Sequence, residues 1–169
     1  YLPDQEQIDT SNAQWEFPIG TVFVKHFSIQ LADGSNKNLE TRIFVLGRDG
    51  WSGFTYRWRA DQSDADLLAQ AESENLQVNR GNGPQTLTWN FPSRTDCLSC
   101  HTQASGRVLG YDGLQLNRVV QFEGGWRHQF EVINQLGLVS TPLRKNDYDE
   151  MPGLQEANYA LTQRSRSYL

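Results

Sequence analysis

From Phe17 to Trp89 apolar and polar residues fall mostly into short β-like runs broken by turns, and beyond Phe91 the spacing turns helical. Thr21-Val22-Phe23-Val24-Lys25-His26-Phe27-Ser28-Ile29 is rich in β-branched and aromatic residues and predicts a first strand. On a regular strand Val22, Val24, His26 and Ser28 share one face, and Phe23, Lys25, Phe27 and Ile29 the other. Asp33-Gly34-Ser35-Asn36 and Arg48-Asp49-Gly50 are turns, with strands expected over residues 40–46 and 54–59. Residues 64–72 read as a short helix opened by Asp61, Asp64 and Asp66, which the helix dipole favours. Gly81-Asn82-Gly83-Pro84 breaks the chain, and residues 86–89 form a last strand.

Ser93-Arg94-Thr95-Asp96 has the capping-box pattern, Ser93 at the N-cap and Asp96 at N3. It predicts a helix carrying Cys97, Cys100 and His101 and ending at Gly106. Residues 129–138 form a second helix, with Phe130, Ile133 and Leu136 near one side, and residues 153–169 close the chain as a third. The predicted fold is therefore α+β, an N-terminal antiparallel β unit (17–91) packed on a helical part (92–169). The polar residues 1–16 are expected to be a linker or arm.

The length of 169 residues suits one domain with room for a core and a cofactor. A formal charge of −5 argues against a nucleic-acid surface, which needs clustered Lys and Arg, and suits steering toward a basic partner. No stretch is apolar for long enough to span a bilayer. The chain opens at Tyr1 without a charged and then apolar leader, as expected of a processed chain or of a domain excised from a longer protein.

The chemistry concentrates at Cys97-Leu98-Ser99-Cys100-His101, the C-x-x-C-H pattern of covalent haem attachment. Residues i and i+3 share a helix face, so both thiols reach one porphyrin edge, and the next residue offers imidazole to the iron. Three other readings compete. A thioredoxin-like dithiol also places C-x-x-C at a helix start, but no βαβ pattern precedes this one. A zinc site needs a fourth ligand, and only His26 and His128 remain as further histidines. The third reading is a pair of inert buried cysteines.

For the sixth position the candidates are His26, on its strand, and Met151, the single methionine. His128 lies in the polar run Trp126-Arg127-His128-Gln129 and is expected to be solvated. Arg107 is a candidate for a haem propionate, or a solvated loop residue. Trp58 and Trp89 pack on a porphyrin or fill core volume.

Several ordered segments carry a resemblance. They are Phe17-Pro18-Ile19-Gly20-Thr21-Val22-Phe23-Val24-Lys25-His26-Phe27, Glu40-Thr41-Arg42, Tyr56-Arg57-Trp58, and Trp89-Asn90-Phe91-Pro92-Ser93-Arg94-Thr95-Asp96 leading into the haem motif. Gly106-Arg107-Val108-Leu109-Gly110 and Gln115-Leu116-Asn117 follow. Together they resemble the cytochrome c-like modules of large secreted or periplasmic bacterial proteins, joined there to carbohydrate-binding modules, quinoprotein sugar dehydrogenase domains or further cytochrome domains.

The resemblance implies a cytochrome c-like helical haem-binding part with one covalent haem c on Cys97, Cys100 and His101. It implies a sixth ligand from the strand face holding Val24 and His26. Against this, Met151-Pro152 before a final helix resembles ordinary class I cytochromes c. One-electron transfer in the periplasm or at the cell surface is the implied function. The implied partner is a redox protein: a copper-dependent lytic polysaccharide monooxygenase, a sugar dehydrogenase or a neighbouring haem domain. Arg164-Ser165-Arg166-Ser167-Tyr168-Leu169 resembles the lead-in to a second haem module. The alternatives are a haem enzyme or gas sensor with an open distal site, and a carbohydrate-binding β module using Trp51, Trp58 and Trp89 as a platform.

Overall fold

The computed structural model describes residues 1–153 and 155–166. They form two compact units, one of Tyr1 with Ile19–Arg107 and one of Leu2–Pro18 with Val108–Leu169.

In the first unit β1 (Val22–Gln30), β2 (Asn36–Gly47), β3 (Gly50–Trp58) and β4 (Ala65–Leu67) make an antiparallel sheet in that order. The β2–β3 hairpin closes through Arg48-Asp49, with Gly50 at φ +105°, a conformation glycine adopts without strain. β5 (Glu72–Asn79) and β6 (Pro84–Phe91) pair as a separate ribbon, followed by α1 (Arg94–Cys100).

Register sorts the side chains of the large sheet. Phe23 pairs with Phe44 and Phe44 with Gly53, while His26 pairs with Thr41 and Thr41 with Tyr56. These two rows are three residues apart on every strand, so period two sends them to opposite faces. Phe23, Phe27, Glu40, Arg42, Phe44, Trp51, Gly53, Thr55 and Arg57 therefore share one face.

The ribbon covers the Arg57 end of that face. Arg57 donates to Glu72 at 2.6 Å and to Glu74 at 2.9 Å, and its guanidinium lies 4.9 Å from the Phe91 ring centre. Lys37 pairs with Glu74. Beneath lie Leu39, Leu76, Val78 and Phe91. Glu40, with 0% of its side chain exposed, accepts from Arg42 at 2.6 and 3.0 Å and from the Trp89 indole at 3.0 Å. Those three charge-assisted bonds are what let a carboxylate stay in the core.

The second unit holds α2 (Gly113–Leu116), β7 (Val119–Phe122) paired with β8 (Gly125–His128), α3 (Gln129–Gln135) and α4 (Leu161–Arg166). Its core is Ile8, Trp15, Leu116, Phe130, Ile133, Val139 and Leu143.

Several expectations are corrected. The helical cytochrome c-like part expected over 92–169 is not there. Among the described residues 37% are strand and 16% helix, in four short helices. Gly106, Arg107 and Gly110 all take positive φ after α1, and the β7–β8 hairpin occupies the middle of the segment. Residues 1–16 are no free arm. Ile8 forms a parallel bridge with Val139, and Ile8 and Trp15 are 2% and 5% exposed. Ile8 and Trp15 stand in a polar stretch without periodicity, so only the tertiary core reveals them.

Residues 64–72 are not helical. Ala65–Leu67 satisfies the edge of β3, and Glu72 and Glu74 both reach Arg57, as alternate strand residues do and neighbouring helix turns do not. The acidic cluster serves this turn: Arg59 binds Asp66 at 2.5 and 2.9 Å and lies near Asp64. Of the expected helix over 153–169, Leu161–Arg166 is helical. Residues 154 and 167–169, including the end of the expected lead-in segment, lie outside the described residues.

His128 is not solvated. It is 5% exposed and caps α3, its Nδ1 accepting the Phe130 N–H at 3.2 Å. Burial pushes its pKa below the ordinary 6.5, and the Lys145 charge adds to this against Glu131 and Glu150.

Two predictions follow from these buried groups. Glu40→Ala strands Arg42 and the Trp89 indole, and urea unfolding should show a loss of about 3 kcal/mol or more. For His128 the unfolded chain binds the proton more readily than the folded one, so stability is full above pH 6.5 and falls as the pH drops below it. Denaturation midpoints from pH 7.5 to 5 should show that slope and should lose it in His128→Gln; an unchanged slope in the variant refutes the assignment.

Candidate haem-attachment site

α1 begins where the sequence says it should. The Asp96 N–H donates to the Ser93 hydroxyl at 3.3 Å, and the Ser93 N–H returns a bond to Asp96 at 2.9 Å. The Ser93 hydroxyl and then its amide hold the Asp96 carboxyl below the usual carboxylate range. The Arg94 guanidinium lies 4.1 Å from the Phe54 ring centre, fastening the first turn to β3.

Cys97 faces the sheet. A Cβ on Gly53 would stand 2.7 Å from the Cys97 Cβ and 2.9 Å from its Sγ, so the missing side chain of Gly53 is the space α1 occupies. The thiol sits beside the Thr55 hydroxyl. Burial pushes its pKa up from 9.0, and the Arg42 charge opposes that. Cys100, one turn on, is exposed, and both cysteines are free thiols.

His101 closes the helix, its N–H bonding to the Cys97 carbonyl at 3.0 Å. The loop after it folds back. The Arg107 N–H bonds to the Thr102 carbonyl, and Arg107 takes φ +63°. That left-handed backbone brings the Arg107 carbonyl to 2.5 Å from the imidazole Nδ1. A carbonyl can only accept, so Nδ1 is the donor, and in the neutral ring this leaves Nε2 with the lone pair. The Arg107 guanidinium donates in turn to the His101 carbonyl at 3.0 Å. The imidazole rests on Phe44, ring centres 4.4 Å apart, and Phe44 stacks on Trp51 at 4.8 Å.

Cys97, Cys100, His101 and Arg107 thus come together; His26 does not join them. Its row of the sheet points to the face opposite Phe44 and Gly53. There its Nδ1 meets the Thr41 hydroxyl at 2.9 Å and its Nε2 the Asn38 side chain at 3.1 Å, with Trp58 edge-on at 5.7 Å. The pocket expected under Val24 and His26 is absent: His26 is exposed and Val24 is 64% exposed. Met151 belongs to the other unit and is half-buried outside any helix or strand. Arg107 is not an arm free in solvent, since its guanidinium is turned onto His101.

The tryptophans share no platform. Trp51 lies on the Phe44 face and Trp58 on the His26 face, while Trp89 holds Glu40. Phe44, Gly53, Thr55 and Arg94 were missed from the sequence. One signal was legible: Gly53 interrupts an alternating strand, which marks a close approach.

The rival chemistries fit less well. Among the described residues no three His, Cys, Asp or Glu side chains converge as a metal group, contrary to a structural zinc site. An activated redox cysteine has a depressed pKa, and Cys97 is shifted the other way.

Comparisons with protein-family models, with curated proteins and with solved structures find no match.

In the chain with free thiols, alkylation should reach Cys100 well before Cys97, read by mass spectrometry of peptides. Gly53→Ala forces α1 off the sheet, which should cost about 1–3 kcal/mol and bring the two labelling rates together. Equal rates in the parent chain would contradict the half-buried seat of Cys97 against Gly53.

Proposed function

We propose that the chain carries one covalent haem c on Cys97 and Cys100, with His101 as axial ligand, and that it passes single electrons to a redox protein outside the cytoplasm. The observation that carries this is the state of His101. Its Nδ1 is committed to a backbone carbonyl and its Nε2 is left as a lone-pair donor immediately after the second thiol of a C-x-x-C pair. An ordinary loop histidine has no need of a strained residue to fix its tautomer.

The donor set fits the group. Two free thiols one helical turn apart suit thioether links to one porphyrin edge, and an imidazole nitrogen suits iron. Bound there, the haem supplies an Fe(III)/Fe(II) couple. The protein's own residues do the rest. Arg107 raises the basicity of His101 through the shared proton and holds the ring plane, which favours the oxidised iron. Gly53 gives the helix its seat under Cys97. The acidic balance of −5 favours encounter with a basic partner surface. A copper-dependent polysaccharide monooxygenase, a sugar dehydrogenase or another haem domain as that partner follows from the sequence resemblance. The position of His26 argues that it is not the sixth ligand.

Expression in a host that matures c-type cytochromes should yield a coloured chain heavier by one haem. Cys97→Ala and Cys100→Ala should each lose one thioether link, shifting the pyridine haemochrome band, and His101→Ala should lose the native spectrum. His26→Ala should leave that spectrum unchanged. A colourless chain of unmodified mass from such a host ends this proposal. Rapid carbon monoxide binding to the reduced form would replace electron transfer by chemistry at an open iron.

A further inference from the structure

We infer that Phe44 and Trp51 form the route by which an electron passes between His101 and the protein surface at the β2–β3 hairpin. This deepens the proposed function and rests on haem attachment at Cys97 and Cys100.

The route is a run of rings on one face of one sheet. His101 lies 4.4 Å from Phe44, tilted by 40°. Phe44 lies 4.8 Å from Trp51 and is nearly parallel to it, at 7°. Phe23 continues from Trp51 at 5.9 Å. Phe44 is buried, whereas His101, Trp51 and Phe23 are half-buried, so from Phe44 the run leads outward through Trp51.

Register builds it. Phe23 stands directly across from Phe44, and Trp51, paired with Leu46, is the diagonal neighbour of Phe44 on β3. Gly53 stands directly across from Phe44, where even a Cβ would reach only ordinary contact with the Phe44 ring, at 3.7 Å. Trp51 stands near the hairpin turn, where Arg48 and Asp49 are exposed.

Electronic coupling falls exponentially with the gap between packed groups, so rings in van der Waals contact conduct better than aliphatic chains across a void. In the oxidising direction the iron gives up one electron and an external one-electron acceptor gains it. The rings carry the electron by tunnelling and end unchanged. The natural acceptor is a redox protein docked at the hairpin.

The competing explanation is that these rings only fill core volume. A photochemical experiment separates the two. Asp49→Cys, on the exposed turn, is labelled with a ruthenium tris-bipyridyl complex in the haem-bearing protein, whose native thiols are consumed in thioethers. Gln85→Cys carries the same label at the far end of the unit, on the stretch of β6 near where Gln77 meets Ala32. Flash oxidation of the ruthenium then reads the rate of electron transfer from haem.

From the Asp49 label, Trp51→Leu and Phe44→Leu should each slow transfer by about an order of magnitude, Trp51→Phe should restore most of it, and the Gln85 rate should hold. The haem spectrum and reduction potential should not move in Trp51→Leu. Rates from Asp49 that ignore Trp51, or that fall equally from both labels, overturn the relay while leaving haem attachment intact. A chain without thioether-linked haem overturns both.

Discussion

The contact between Cys97 and Gly53 is the constraint on which the candidate site depends. It exists because glycine leaves β3 bare where α1 comes closer to the strand than a Cβ would permit. That approach half-buries one thiol and leaves its partner, a turn later, in solvent. It also carries the end of α1 over Phe44, so that the histidine following the second cysteine lands on an aromatic ring. A helix of seven residues has little stability of its own. Its capping box, the Arg94 contact with Phe54 and the seat on Gly53 hold it in place.

A second constraint orients the chemistry. Arg107 adopts a backbone conformation that most side chains avoid, and through it a carbonyl reaches the His101 imidazole. The same residue returns its guanidinium to the His101 carbonyl, so ring and loop hold each other. Strain of this kind persists where surrounding bonds over-determine it, and here the Arg107 N–H, carbonyl and guanidinium are all engaged. The two thiols, the oriented imidazole and the ring stack beside it are the features on which the proposed haem attachment and electron route rest.

The opposite face of the sheet shows how parity sets His26 apart from His101. His26 and Phe23 are three residues apart on one strand, and an odd offset separates faces whatever the side chains. His26 is occupied there with Thr41, Asn38 and Trp58. In the second unit Ile8 and Trp15 tie a polar leading segment into the same core as Phe130 and Ile133. His128 gives up solvation to cap α3 from inside.

The sequence by itself determined the local features: the main strands, the turns at Gly34 and Gly50, the capping box at Ser93 and Asp96, and the Cys97, Cys100 and His101 triplet. Each of these is written within a few residues, where backbone preference and hydrogen-bonding side chains act directly on their neighbours. Only the tertiary structure decided that residues 64–72 pair with a strand edge, that Ile8 and Trp15 are core, and that the region after α1 is not a helical bundle. It alone placed His26 away from His101, because strand register depends on partners far along the chain. Short-range chemistry was legible in the residues; which groups meet was settled by long-range pairing and by the space a single glycine leaves.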